Sequence, residues 1–286
     1  MTLPSTTLPA VVALSAAAAV ALSPAVAAAQ PPGAFDSVQH SLLLEERYRD
    51  YTAVLPTDYD ETRAYPIILA FGGYGDSAAS YREYANIEQA VDGEAIVVYA
   101  QAVNNAWAGA PYAVTTMDED VDYVRAVVDD VVENYSGDPE RVFATGMSNG
   151  GGFAAALSCH APTLVDAVVA VAGAYYNESV TNCRFAQRVP TLLVHGAHDE
   201  MMSFGGGYRH GAAYLGVERT LKNLATRNGC VPDSLHERSA DEGTTTFSAD
   251  NCEVDTEILR VDDYGHTWFE DPEAERVAVD FFRRQA

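Results

Sequence analysis

Residues 141–157 read RVFATGMSNGGGFAAAL: a β-branched and aromatic run, a Gly-Met-Ser-Asn-Gly turn at 146–150, and an alanine-rich continuation. Val, Phe and Thr favour a pleated strand and alanine favours a helix, so the stretch predicts strand, tight turn and helix in that order. A G-x-S-x-G turn in this setting lifts the serine hydroxyl off the end of a strand, where a base and a substrate can reach it. Ser148 is the candidate nucleophile. The competing reading, a structural Gly-rich turn, is weakened by the strand before it and the helix after it.

Outward from this point the chain alternates apolar runs with helical segments. The runs are PIILAF (66–71), AIVVYA (95–100), DAVVAVAG (166–173), PTLLVHG (190–196) and TEILRVD (256–262). Helices are predicted near 78–91, 118–135, from 149, near 211–227 and from 272. Short, nearly continuous apolar strands between helices indicate a parallel sheet covered on both faces. HSLLLEE and RDYTAVLP, between His40 and Pro56, read as an antiparallel pair that opens the domain. The predicted fold class is α/β, a single domain of the α/β-hydrolase type over residues 40–286, with Asp233 to Asp250 as a surface excursion.

That fold carries its acid and base on loops after later strands, in the chain order Ser, Asp or Glu, His. Asp199 follows PTLLVHG and His266 follows TEILRVDDYG, which makes them the candidate acid and base. Glu200, Asp262 and Asp263 are rival acids. Of the rival bases, His195 ends a strand and is expected to order the acid loop, and His198 is expected at the surface. FGGYGD (71–76) follows the first central parallel strand, where the second oxyanion donor of this fold arises. The backbone N–H groups of Tyr74 and Asn149 are the expected oxyanion hole, with Gly73 as the neighbour of Tyr74; an ordinary tight turn is the alternative. Tyr74, Trp107, Tyr175, Tyr176, Trp268 and Phe269 fall on loops near the site. Two or three of them are expected to line it. Tyr74 and Trp268 lead, and Trp107, Tyr175 and Trp268 are the substrate-binding candidates.

Composition narrows the partners. Residues 1–29 read as a secretory leader: an Ala/Val/Leu run to Leu22, then Pro24, then Ala27-Ala28-Ala29 as a small-residue cleavage site. Residues 30–39 read as a linker. A membrane anchor is the competing reading, but the run is Ala-rich, short, and not followed by a basic cluster. The 41 acidic residues against 17 basic ones give a formal net charge of −24, which repels a nucleic-acid backbone or an anionic membrane and suits a neutral substrate. Four cysteines in an exported chain favour two disulfides over metal ligation. Proximity suggests Cys159 with Cys183 and Cys230 with Cys252, although three connectivities are open. No metal or cofactor is implied, and a monomer is expected.

Five segments together resemble the secreted esterases that include polyhydroxybutyrate depolymerases and feruloyl and acetylxylan esterases. They are MDEDVDYVRAVVDDV (117–131), DPERVFATGMSNGGGFAAALSC (138–159), HGAHD (195–199), NGC (228–230) and GHTW (265–268). The resemblance spans nearly the whole mature chain. It implies a serine ester hydrolase with Ser148, Asp199 and His266 as triad, and Cys230 and Cys252 as a pair close to the base. Gly72, Phe269 and Ser203-Phe204 depart from the family's usual His, Pro and Pro-Tyr. These positions surround the pocket, so they bear on the substrate more than on the reaction. The expected substrates are neutral short-chain, aryl or polyester esters. An acyltransferase using the same residues and a non-catalytic binding protein on the same fold are the alternatives.

Overall fold

The computed structural model describes residues 35–181, 183, 187–231 and 233–286. The expected leader lies outside the described residues. In chain order the elements are β1 (Ser37–Leu44), β2 (Arg47–Val54), β3 (Tyr65–Phe71), α1 (Ala78–Ala85), α2 (Ile87–Val91), β4 (Ile96–Ala100), α3 (Met117–Tyr135), β5 (Gly137–Met147), α4 (Asn149–His160) and β6 (Ala167–Val171). There follow α5 (Asn177–Val180), β7 (Thr191–Gly196), β8 (Gly206–Arg209), β9 (Ala212–Leu215), α6 (Val217–Arg227), β10 (His236–Asp241), β11 (Thr244–Ser248), β12 (Thr256–Val261) and α7 (Ala274–Arg283). The linker reading of residues 30–39 runs too far, because β1 already begins at Ser37.

Among the described residues, one sheet has the order β1-β2-β4-β3-β5-β6-β7-β12-β11-β10. Neighbours from β4 to β12 are parallel, and the outer pairs at both ends are antiparallel. Sequence and position agree. The central strands β4, β6 and β7 are buried at every residue, as a sheet covered on both faces requires, whereas β1 alternates exposed and partly buried positions at the edge. One face packs against α3 and α4, the other against α1, α2 and α7. α3 opens on a capping box: Thr116 Oγ1 accepts from the Glu119 N–H, and the Glu119 carboxylate accepts from the Thr116 N–H.

Three further sequence expectations are corrected. The helix expected over 78–91 is two helices, because Asn86 takes a left-handed conformation (φ 41°). The helix expected over 211–227 begins only at Val217. Before it stands the hairpin β8–β9, whose His210-Gly211 turn has φ +52° and +80°, the primed-turn geometry that suits strand twist. The excursion 233–250 extends the main sheet through the hairpin β10–β11. β10 is exposed at every residue, so no apolar alternation announces it.

Two disulfides are present, Cys159–Cys183 and Cys230–Cys252. They fit an oxidising compartment outside the cytoplasm. No helix among the described residues is long and apolar enough to cross a membrane.

Candidate active site

The register of the sheet brings the loops of interest to one edge. Phe71 of β3 pairs with Gly146 of β5, Met147 with Val171 of β6, and Gly196 of β7 with Val261 of β12. The loops that follow β3, β5, β7 and β12 therefore emerge side by side at the carboxyl ends of the strands, where ligands meet an open α/β sheet.

Ser148 stands between β5 and α4 with φ 53° and ψ −115°, a conformation that costs a non-glycine residue of order 1–3 kcal/mol. The surroundings hold it there. Its N–H donates to Val171 O (2.9 Å), and its carbonyl accepts from the N–H groups of Gly152 (2.9 Å) and Ala174 (2.8 Å). Glycine is required on either side of the turn: a β-carbon at Gly146 would lie 2.6 Å from the Phe71 carbonyl oxygen, and one at Gly150 only 2.0 Å from it. The G-x-S-x-G spacing thus records how closely β3, β5 and α4 converge.

The loops after β7 and β12 are tied to one another by Ala197 N–H to Val261 O (2.9 Å) and His198 N–H to Tyr264 O (3.0 Å). This tie sets Asp199 against His266. His266 Nε2 lies 2.9 Å from Ser148 Oγ, and His266 Nδ1 lies 2.7 Å from Asp199 Oδ2. The other carboxylate oxygen of Asp199 accepts from the N–H groups of Met201 (2.8 Å) and Met202 (2.7 Å). Burial opposes the charge on Asp199, but hydrogen bonds from His195, His266 and the Met202 N–H outweigh it and hold the carboxyl well below the usual range. The rivals are elsewhere: His198, Glu200 and Asp263 are exposed, and Asp262 is engaged by Arg260 (2.6 Å). His195 is buried behind the acid with Nε2 2.7 Å from the Met202 carbonyl oxygen.

The loop after β3 passes directly beside the serine, since a β-carbon on Gly73 would lie 3.5 Å from Ser148 Cβ. Asp76 fixes that loop: its Oδ2 accepts from the Gly73 N–H (3.0 Å) and from the Tyr84 hydroxyl (2.7 Å). Asn105 clamps the next residue, accepting at its carbonyl from the Gly75 N–H (2.8 Å) and donating its amide to Gly75 O (3.1 Å). Gly73 is thereby occupied. Among the described residues, the N–H groups of Tyr74 and Asn149 have no hydrogen-bond partner. Asn149 is the first residue of α4, one of the positions that leave a backbone donor open, and its side chain grips the N–H (2.7 Å) and carbonyl (3.1 Å) of Trp107. The Trp107 loop is anchored in turn by buried Asp120, which accepts from the Ala108 N–H (2.8 Å) and from Arg49 (2.9 Å).

Ser148 and His266 open onto a cavity of about 670 Å³ lined by Tyr74, Tyr112, Tyr176, Arg209, Trp268, Phe269 and Glu275, among others, with Asp199 buried behind them. Tyr74 is 54% exposed and its ring lies 4.0 Å from that of Tyr112, while His210 on the β8–β9 turn meets Tyr112 edge-on at 4.9 Å. Trp268, also in the lining, donates its indole N–H to Glu275 (2.9 Å). Trp107 and Tyr175 do not line the cavity. Each is 1% exposed, and Trp107 stacks on Phe153 at 4.8 Å in the core beneath the turn. Of the six named aromatics, four line it where two or three are expected: Tyr74, Tyr176, Trp268 and Phe269. Trp107→Ala is accordingly expected to cost about 3–5 kcal/mol of folding stability. Denaturant titration beside KM measurements checks this: unchanged stability with a much weaker KM would return Trp107 to the pocket.

Sequence reading missed Asp76, Asn105, Asp120, Tyr112, Arg209 and Glu275. Only Asp76 carried a signal, being an Asp three residues after a loop glycine, a spacing that suits side-chain capture of a turn N–H.

Superposition on solved structures supplies the fold's relatives. A ferulic acid esterase superposes with a TM-score of 0.62 over 88% of this chain and 99% of its own, at 14% identity. An acetyl xylan esterase from Aspergillus awamori gives 0.61 over 85% and 99%, at 13% identity. The fold is that of the α/β-hydrolases. In sequence, the chain is similar to a probable feruloyl esterase C of Aspergillus niger, 28% identical over 194 residues, covering 65% of this chain and 64% of that protein. It is also similar to a putative esterase, NocK, of Nocardia uniformis, 28% identical over 225 residues, covering 71% and 65%. The matches thus span just under two thirds of the length of these relatives. No protein-family model matches the chain.

Proposed function

We propose that this α/β-hydrolase is a secreted serine carboxylic-ester hydrolase. The observation that carries the reading is the unbroken chain from Ser148 Oγ through both nitrogens of His266 to Asp199 Oδ2, at 2.9 and 2.7 Å. His266 takes the proton of Ser148 as Oγ attacks the ester carbonyl, and Asp199 holds the imidazole in the tautomer that can accept it and stabilises the resulting cation. The tetrahedral oxyanion is received by the open N–H groups of Tyr74 and Asn149, held in place by Asp76, Asn105 and Trp107. One such donor is worth about 10²–10³ in turnover. His266 returns the proton to the departing alcohol. Water then attacks the acyl-enzyme by the same relay and releases the acid.

The names of its relatives and the aromatic walls of the cavity support an aryl or short acyl ester as substrate. Asp76, Glu270, Glu273 and Glu275 also line the cavity, and together with the net charge of −24 they disfavour anionic esters. Acetyl and feruloyl esters are expected to react fastest, amorphous polyhydroxybutyrate more slowly. A kcat/KM panel of p-nitrophenyl acetate, butyrate and octanoate, methyl ferulate, acetylated xylan and amorphous polyhydroxybutyrate tests the order, with alcohol acceptors added. Fastest turnover on the polymer would reverse it, and acyl transfer exceeding hydrolysis would make the protein a transferase.

A further inference from the structure

The strand that leads into the acid loop holds a second histidine that the proton relay does not use. His195, in β7, is 1% exposed. Its Nε2 lies 2.7 Å from the Met202 carbonyl oxygen and 3.2 Å from Asp199 Oδ2. That same Oδ2 faces His266 Nδ1 at 2.7 Å, so one carboxylate oxygen is shared by two imidazoles. A carbonyl oxygen only accepts, which puts the His195 proton on Nε2. Its Nδ1 is buried with no partner among the described residues, and the rings of Tyr175 and Phe204 stand 6.2 and 6.0 Å away. The ring is therefore fixed as a forked Nε2–H donor, held at one prong by Met202 and offering the other to the acid.

Resting on the serine-hydrolase reading, we propose that His195 is a positioning residue that sets the proton affinity of His266 through the shared Asp199 oxygen. Charge drawn toward one donor is withdrawn from the other. Without the His195 donor, Oδ2 belongs to His266 alone, the protonated base is better stabilised, and His266 gives up its proton less readily. The other titratable groups around the pair stay in place when His195 is changed. Tyr175, on the β6 side, has its phenol pushed well up by burial and remains neutral in the working range. The cavity wall contributes Asp76, Glu270, Glu273, Glu275, Arg209 and His210, and the two loops contribute His198, Glu200, Asp262, Asp263 and Tyr264.

His195→Phe removes the donor and keeps a planar ring, while His195→Gln keeps an amide N–H of comparable reach. In His195→Phe the acid limb of the kcat/KM profile is expected to move to higher pH by about half a unit or more, roughly threefold in proton affinity, with KM little changed. In His195→Gln it is expected to return toward wild type. A limb that stays put in His195→Phe, or moves equally in both variants, overturns the proposal, because a purely structural role lowers thermal stability without moving the limb. Should His195→Phe fail to fold, ¹⁵N NMR of the wild-type protein decides: an Nε2–H tautomer at His195 is expected, and Nδ1–H overturns it. The two readings fail separately. Hydrolysis that survives Ser148→Ala sinks the serine mechanism, whereas Ser148-dependent hydrolysis with an unmoved limb sinks only the role of His195.

Discussion

Ser148→Ala is expected to abolish both fluorophosphonate labelling and hydrolysis of p-nitrophenyl acetate while leaving the fold intact. The loss in kcat should approach about 10⁶, since removing the nucleophile of another serine hydrolase costs that much and the remainder comes from oxyanion donors and binding. The fold should tolerate the change for a local reason. Alanine keeps the β-carbon, and the bonds that hold residue 148 at φ 53° run through its backbone to Val171, Gly152 and Ala174 rather than through Oγ. Circular dichroism melts should therefore nearly superpose on wild type. Peptide mass spectrometry of the labelled wild-type protein should find the adduct on Ser148. Undiminished hydrolysis by the purified variant would remove the serine mechanism altogether.

What the sequence made legible was what local chemistry forces. The parallel strands are visible because burial on both faces demands unbroken apolar runs such as PIILAF and PTLLVHG. The positions of Ser148, Asp199 and His266 are visible because each follows such a run, and the glycines at 146 and 150 mark a convergence of backbones that no side chain fits. The hairpins were not legible, for two different reasons. β10 faces solvent throughout and has no apolar period, while the β8–β9 strands are four residues each and were absorbed into the helix that follows. Trp107 and Tyr175 were misjudged because loop aromatics can turn inward or outward at equal local cost. Their direction is set at long range, for Trp107 by the Asn149 amide and by Asp120, which lies twelve residues from the Ala108 N–H it holds. Networks of that kind leave almost no imprint on spacing; Asp76, three residues after Gly73, is the exception.

Asp199→Asn should be the second large loss, about 10⁴ in turnover by analogy with the same change in another triad. The amide oxygen of asparagine can still accept from the Met201 and Met202 N–H groups, which leaves its NH₂ facing His266 Nδ1. An NH₂ donor selects the imidazole tautomer with its proton on Nε2, pointing at Ser148 Oγ, and that tautomer has no lone pair to take the serine proton. The same NH₂ also confronts the His195 Nε2–H, so some stability should be lost with the activity. The pH dependence of that stability loss has a definite sign. Because the Asp199 carboxyl is depressed in the folded protein, its ionic contribution is fully present above the unfolded value of about 3.9 and disappears only as pH falls through the lower folded value. The difference in melting temperature between wild type and Asp199→Asn should thus shrink in strong acid, below about pH 4, as Asp199 becomes protonated in the unfolded chain and then in the folded one. Glu200→Gln is the control, since Glu200 is exposed and should change turnover little. A larger loss from Glu200→Gln than from Asp199→Asn would move the acid by one residue, and a stability gap that stayed undiminished in strong acid would mean that Asp199 is not the ionised partner of these two histidines.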